Sequence, residues 1–282
     1  MNGQKRCLVT GVSGGFGRHI VEAALARGDN VVGTVRQADQ IAEIEALAPG
    51  RCHAVLLDVT DRKRIPLAVA EAVGKLGGLD VLVNNAGYGL SGALEELQDD
   101  EIDHIIDTNL NGTIHCIRAA LPALRDGGGN IVNISSMSGM VGFAGLSTYC
   151  LTKFAVEGLS AALRKELAPF GIAVTVVEPG SFRTNFSDAK RYTRAKLAAY
   201  DGTPAGNGRD GLNSLAGKQP GDPAKAAAAI VQLIEADDPP AHLILGKDAL
   251  RMIRNHRARV ETEIAAWEAV SLSTDLDLVD PA

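Results

Sequence analysis

Paired cysteines, long apolar runs and an excess of positive charge are all missing from this chain, and each gap removes a class of protein. The four cysteines, Cys7, Cys52, Cys116 and Cys150, show neither CxxC nor zinc-type spacing. Three of them stand in apolar strand or helix patterns, so buried free thiols are expected. Six histidines form no HExxH or paired-ligand pattern, and no metal is expected. No apolar run approaches the roughly 18 residues of a membrane span. The N-terminus passes almost at once into strand-like KRCLVTG, which leaves no room for a signal peptide and makes the cytoplasm the expected compartment. With 28 basic and 34 acidic residues the net charge is −6, against a dedicated nucleic-acid binder.

What is present is the apolar share of an ordinary globular protein, 46% of 282 residues. Short β-branched runs alternate with longer helical patterns: Cys7–Thr10, Asn30–Val35, His53–Leu57, Val81–Val83, Ile131–Ile134 and Ala173–Val177, with helices near 15–28, 38–48, 61–76, 99–124 and 148–169. The runs are almost uninterruptedly apolar, as in strands buried on both faces. Repeated strand–helix–strand units predict an α/β fold with a doubly wound parallel sheet and right-handed crossovers. A helix near 222–236 and the run His242–Leu245 close that sheet at seven strands. Residues 1–246 then form one dinucleotide-binding, catalytic domain. Within it, the Gly-, Asn- and Pro-rich stretch 185–222 reads as a substrate loop with a short helix around Lys190–Tyr200. Residues 247–282 read as a helical extension packed on the same domain, with Leu250, Ile253, Val260, Ile264 and Trp267 as its apolar stripe.

TGVSGGFG at Thr10–Gly17 lies between the first strand and the first helix. Glycines at 11, 15 and 17 allow a tight turn and close backbone approach, and the helix N-terminus offers unpaired N–H groups to a pyrophosphate. Gly11, Ser13, Gly15, Phe16 and Gly17 are therefore expected to cradle a dinucleotide. The second strand ends at Val35 followed by Arg36, where an acidic residue would select NAD. A guanidinium suits a 2′-phosphate, so NADP(H) is expected over NAD(H). Asp58 and Val59 are placed to meet the adenine, and the small-residue turn Asn85, Ala86 and Gly87 to approach the cofactor. All follow strand ends, where such sheets bind ligands.

Hydride transfer to a carbonyl carbon also needs a proton at the oxygen. Tyr149 is the candidate acid/base, and Lys153, four residues on, shares its helical face. The lysine charge, with that of oxidised nicotinamide, is expected to stabilise the phenolate and lower the phenol pKa. Ser136, just after the fifth strand, can hydrogen-bond the substrate oxygen. Asn109 sits mid-helix in DTNLNG, where it is expected to distort the helix and hold a water that links Lys153 to solvent. Met140, Val141, Phe143, Phe182 and Phe186 suggest an apolar lining for a small hydrophobic ketone, aldehyde or alcohol, while Arg183 and Arg191 are candidates for a carboxylate.

TGVSGGFG, NNAG, YCLTK and EPGSFRT together resemble the motifs of the classical short-chain dehydrogenase/reductase family over nearly the whole chain. PGSFRTNF and the long C-terminal helix are more specifically similar to its 17β-hydroxysteroid-dehydrogenase-like branch. The resemblance implies a Rossmann fold, NAD(P)-dependent chemistry on CH–OH or C=O groups, and catalytic roles for Asn109, Ser136, Tyr149 and Lys153. It also implies that Pro179, Gly180 and Thr184 contact the nicotinamide carboxamide. A homodimer or homotetramer through the helices near 99–124 and 148–169 follows from the same resemblance, with Ile102, Ile105, Ile106, Leu110 and Ile114 as a candidate face. Two other readings stand beside the enzyme: a non-catalytic NAD(P)-binding sensor, which retention of Tyr149 and Lys153 disfavours, and an extended-type epimerase, which the TGxxxGxG spacing disfavours.

Overall fold

Strands that are apolar at nearly every position need cover on both faces, and the chain provides it with helices packed front and back. A computed structural model describes residues 3–184, 191–211 and 217–276. Its main sheet is built from β1 (Arg6–Val9), β2 (Asn30–Val35), β3 (Cys52–Leu56), β4 (Val81–Asn84), β6 (Gly129–Ile134), β7 (Ile172–Pro179) and β9 (His242–Leu245). All seven are parallel, in the order β3-β2-β1-β4-β6-β7-β9. This is the expected doubly wound Rossmann-type sheet. The chain runs outward from β1 to β3 and then returns to β4 on the other side of β1. The strand ends flanking that reversal are where the loops splay and leave a crevice.

One face is covered by α1 (Gly15–Arg27) and α8 (Pro223–Glu235), whose Ile20, Val21, Ile230 and Ile234 pack with Val9, Val31 and Val83. The other is covered by α3 (Arg64–Leu76), α5 (Gly112–Arg125) and α6 (Ser147–Leu167), with Ile65, Val69, Ile117 and Leu124 against Leu8, Val32, Leu82 and Ile131. A buried polar chain crosses this second layer. Asn84 Nδ2 donates to Asn133 Oδ1 at 2.8 Å, and Asn133 Nδ2 donates to Ser160 Oγ at 2.8 Å, so β4, β6 and α6 are held in register by side chains as well as by the ladder. No helix among the described residues is long and apolar enough to cross a membrane.

Three local expectations change. The helix expected over 99–124 is interrupted: α4 (Asp99–Ile106) passes through a π-turn, Asp107–Asn111, into α5. Over the described residues 191–200, the helix expected around Lys190–Tyr200 does not form. Instead β8 (Arg191–Tyr192) pairs in parallel with β5 (Leu90–Ser91), and only Ala198–Tyr200 makes a single 3₁₀ turn. Tertiary hydrogen bonds override local propensity here: Arg191 N donates to Gly89 O, Thr193 N to Ser91 O and Leu197 N to Glu96 Oε1. Conversely, the glycine-rich PAGNGRDG forms α7 (Pro204–Gly211). Of the apolar stripe of α9 (Lys247–Leu272) only Ile253 is buried, while Leu250, Val260, Ile264 and Trp267 are exposed.

Glu96 holds this irregular region together. It is fully buried, pairs with the buried Arg209 of α7, and accepts from the amides of Ala93 and Leu197. Burial alone would push its carboxyl up, but the Leu197 and Ala93 amides and the Arg209 guanidinium outweigh it and hold the group below the usual carboxylate range. A depressed pKa stabilises the fold above the unfolded-state value and loses that contribution as pH falls through the folded one. Glu96→Gln is expected to cost about 3 kcal/mol by denaturant melts at neutral pH, because it breaks a buried ion pair from one side, and to flatten the loss of stability on acidification. Wild-type melting behaviour at both pH extremes would contradict this.

Candidate active site

The loops after β1 and β4 meet at the sheet's reversal. Thr10 Oγ1 accepts from the amides of Asn85 and Ala86, both at 3.0 Å, and Asn85 Nδ2 donates to the carbonyls of Thr10 and Gly11, both at 2.9 Å. This contact decides two of the glycines. Gly11 has φ +70° and lies against Ala86, while a Cβ on Gly17 would come 2.3 Å from Gly11 O and 2.5 Å from Asn85 Nδ2. Gly17 is thus a packing residue between α1 and the NNAG turn. It does not line the cavity.

A cavity of about 610 Å³ opens along these strand ends. At one end it is lined by Gly11, Ser13, Gly15 and Phe16 together with Arg36, Asp58 and Val59; Asn85, Ala86 and Gly87 form its floor. Ser136, Tyr149 and Lys153, and Pro179, Gly180 and Thr184, line it beyond the ends of β6 and β7. The residues predicted from separate parts of the chain therefore converge, Gly17 and Asn109 excepted. A dinucleotide fits the protein's own chemistry here. The N-terminus of α1 has no side-chain cap and no acidic residue in its first turn, so its amides remain available to a pyrophosphate.

Ser136 caps the 3₁₀ turn Met137–Gly139, accepting from Ser138 N at 3.1 Å, and hydrogen-bonds Tyr149. Tyr149 and Lys153 are both buried on α6. Lys153 Nζ donates to Ile134 O at 2.8 Å and lies 5.8 Å from the centroid of the Tyr149 ring. Burial pushes the phenol up to about 12, against a smaller lowering by Ser136. Desolvation, and not the charge of Lys153, governs the phenol in the protein alone. The same burial pulls Lys153 down to about 8, with Glu157 opposing.

Asn109 occupies the π-turn, as its unfavourable mid-helix position foreshadowed. Its Oδ1 accepts from Tyr88 N at 3.0 Å, and its Nδ2 donates to Tyr88 O at 2.9 Å and Thr152 Oγ1 at 3.2 Å. Its side chain thus positions the Gly87–Tyr88 turn.

The expected apolar lining is largely redistributed. Met140, Val141 and Phe143 pack with Ala249 and Ile253 under α9. Phe182 stacks edge-on against Phe16, centroids 5.2 Å apart, on the glycine-loop side, and Phe186 lies outside the described residues. Tyr88, Met137, Leu146 and Tyr192 line the substrate end instead. Arg191 lies 4.7 Å over the Tyr88 ring, and Arg183 turns away to the Gln219 carbonyl. Cys150 is buried, and burial pushes its thiol up, which makes it a packing residue. Asp248, unnoticed in sequence, accepts from Ser181 N at 2.7 Å and so anchors the Pro179–Phe182 turn from α9. Its only signal was an acidic residue in the first turn of a helix.

The sequence model of the family described as short chain dehydrogenase matches residues 5–195. Oxidoreductase BOA17 of Botryotinia fuckeliana is 34% identical over 268 residues, 94% of this chain and 97% of that protein. A solved short-chain dehydrogenase from Streptomyces avermitilis superposes with a TM-score of 0.90 at 43% identity, covering 98% of this chain and all of the other. The structure of ElxO with NADP bound gives 0.73 at 30% identity, covering 88% and 100%. The chain belongs to the short-chain dehydrogenase/reductase family and is an NAD(P)-dependent oxidoreductase acting on CH–OH or C=O groups.

Lys153 has a testable energetic signature. With a folded pKa of about 8 against 10.5, its protonated form opposes folding. That penalty is complete below about pH 8 and is relieved as pH rises toward 10.5. Lys153→Met is expected to melt no lower than wild type at neutral pH while losing turnover, and its advantage should shrink in alkaline buffer. A lower neutral-pH melting temperature in the variant would refute this.

Proposed function

We propose that the protein is an NADP(H)-dependent reductase or dehydrogenase for a small hydrophobic carbonyl or secondary alcohol, with Tyr149 as its acid/base. The observation that carries this reading is one cavity with Arg36 and the glycine loop at one end and Tyr149, Ser136 and Lys153 at the other. The bound nicotinamide supplies or accepts the hydride. Tyr149, kept as a neutral phenol by burial, donates its proton to the carbonyl oxygen in reduction and removes it in oxidation. Ser136 holds that oxygen in line, and Lys153 stabilises the phenolate left behind. We assign Pro179, Gly180 and Thr184 to the carboxamide side and Asp58 and Val59 to the adenine.

NADP(H) is preferred in this reading because Arg36 lines the cavity directly after β2 and no carboxylate stands at that strand end. The NADP held by ElxO supports it. Tyr88, Met137, Leu146 and Tyr192 favour an apolar substrate body, in keeping with the resemblance to the 17β-hydroxysteroid-dehydrogenase-like branch. Four buried free cysteines suit a reducing, cytoplasmic setting. NADPH oxidation across a panel of aliphatic and aromatic ketones is expected to exceed NADH oxidation in kcat/KM at least tenfold. Arg36→Ala should erase that preference, and Tyr149→Phe should lower kcat about a thousandfold with cofactor binding retained. NADH preference would overturn the cofactor assignment, and a blank panel despite cofactor binding would favour the sensor.

A homo-oligomer completes the reading. Ile105 is fully buried and Ile102 and Ile106 pack around it, so that face serves the chain's own core. The exposed Leu151 and Phe154 of α6 and the exposed Val260, Ile264 and Trp267 of α9 are the better candidates for contact with a second copy. Light scattering is expected to give at least twice the chain mass at micromolar concentration. A monomer at that concentration would end the proposal.

A further inference from the structure

Three side chains distant in sequence meet behind the catalytic helix: Glu157 of α6, Glu178 of β7 and His242 of β9. Their ligand atoms all lie within 4.8 Å of one another. His242 Nδ1 is 2.7 Å from Glu178 Oε1 and 3.6 Å from Glu157 Oε2. None of the three lines the cofactor cavity. We propose that Glu157, Glu178 and His242 form a binding site for one transition-metal dication of the zinc type.

The donor atoms are what such an ion needs and what a protein core rarely tolerates without one. The Glu178 side chain is fully buried and that of Glu157 is 91% buried, taking the complement of its 9% exposure. No hydrogen bond of good geometry reaches either oxygen of Glu157, toward which the Ser135 hydroxyl also acts, or Oε2 of Glu178. A buried carboxylate lacking such a partner is costly, and the usual remedies are a pairing charge or a metal. Lys153 and Arg257 act on the two glutamates only through space: Lys153 Nζ donates to Ile134 O, and no bond joins Arg257 to either carboxylate.

The chemistry of the donors selects the ion. Two carboxylates and an imidazole suit a borderline dication such as Zn²⁺, at about 2.0–2.2 Å from each ligand, better than Mg²⁺, which takes oxygen and water. At such bond lengths, ligand atoms stand roughly 3–3.5 Å apart, between the 2.7 and 3.6 Å that separate His242 Nδ1 from the two glutamates. His242 is 40% exposed and provides the way in from solvent. Solvent on that side would complete the coordination. Because Glu157 lies one turn beyond Lys153, the bound ion would tie α6 to β7 and β9 and hold the catalytic lysine's helix against the sheet.

The test uses the full chain, stripped with a chelator and titrated with Zn²⁺. Expected are one ion per chain by calorimetry, a melting temperature raised by several degrees, and, with Co²⁺ in its place, a visible absorption band of low-coordinate cobalt. His242→Ala, at a half-exposed position that should fold normally, is expected to abolish all three. So should Glu157→Gln. NADPH binding should survive in both variants, which separates this result from the oxidoreductase reading. No stoichiometric uptake at a hundredfold excess of Zn²⁺ would overturn the site, as would an undiminished melting shift in His242→Ala. Equal stabilisation by Mg²⁺ would overturn the class of ion.

Discussion

Helix α6 presents Tyr149, Lys153 and Glu157 at successive turns on one face, and that face is turned into the protein, against the ends of β6 and β7. Removing three ionisable groups from water in a row is the constraint around which the rest of the molecule is organised. Each group is shifted by the same desolvation: the phenol upward, the ammonium downward, the carboxyl upward. The neighbours answer these shifts one by one. Ser136 hydrogen-bonds the phenol, the Ile134 carbonyl accepts from the ammonium, and Ser135 and His242 act on the carboxylate, against the like charge of Glu178.

The burial also sets the charge states of the two groups. The phenol is held neutral, and a lysine close to losing its own proton responds strongly to any charge introduced beside it. Both groups are thereby poised on geometry that the Asn84–Asn133–Ser160 chain keeps rigid, since Ser160 is one turn beyond Val156 on the same helix. The dinucleotide end is fixed differently, by backbone packing: Thr10, Asn85 and two glycines lock the loops after β1 and β4 together before any ligand is considered.

The substrate end owes its shape to longer-range contacts. The segment 191–211 is pinned through Glu96 to the 94–96 turn, and β8 extends beside β5 because the backbone of 89–91 offers partners there. Asp248 reaches from α9 to the turn that follows β7. Each of these is a contact across tens of residues, and together they decide which side chains surround the carbonyl.

Local pattern alone was sufficient for much of this protein. Uninterrupted β-branched runs between helical periods specify a two-sided parallel sheet, because only strands covered on both faces can be apolar throughout. The glycine loop, Ser136 and the Tyr149–Lys153 pair were legible because strand ends and helical spacing are short-range properties. Even the π-turn announced itself as an asparagine where a helix does not want one. What the chain could not declare was anything set by pairing between distant segments. Met140, Val141 and Phe143 look alike whether they line a pocket or pack under α9. Gly17 reads as a phosphate contact until Asn85 is seen against it, and Glu157, Glu178 and His242 carry no common spacing at all. Their convergence exists only because β7 and β9 are neighbours in the sheet with α6 laid across them, and burial, which turns three ordinary side chains into a candidate ion site, is a property of that packing alone.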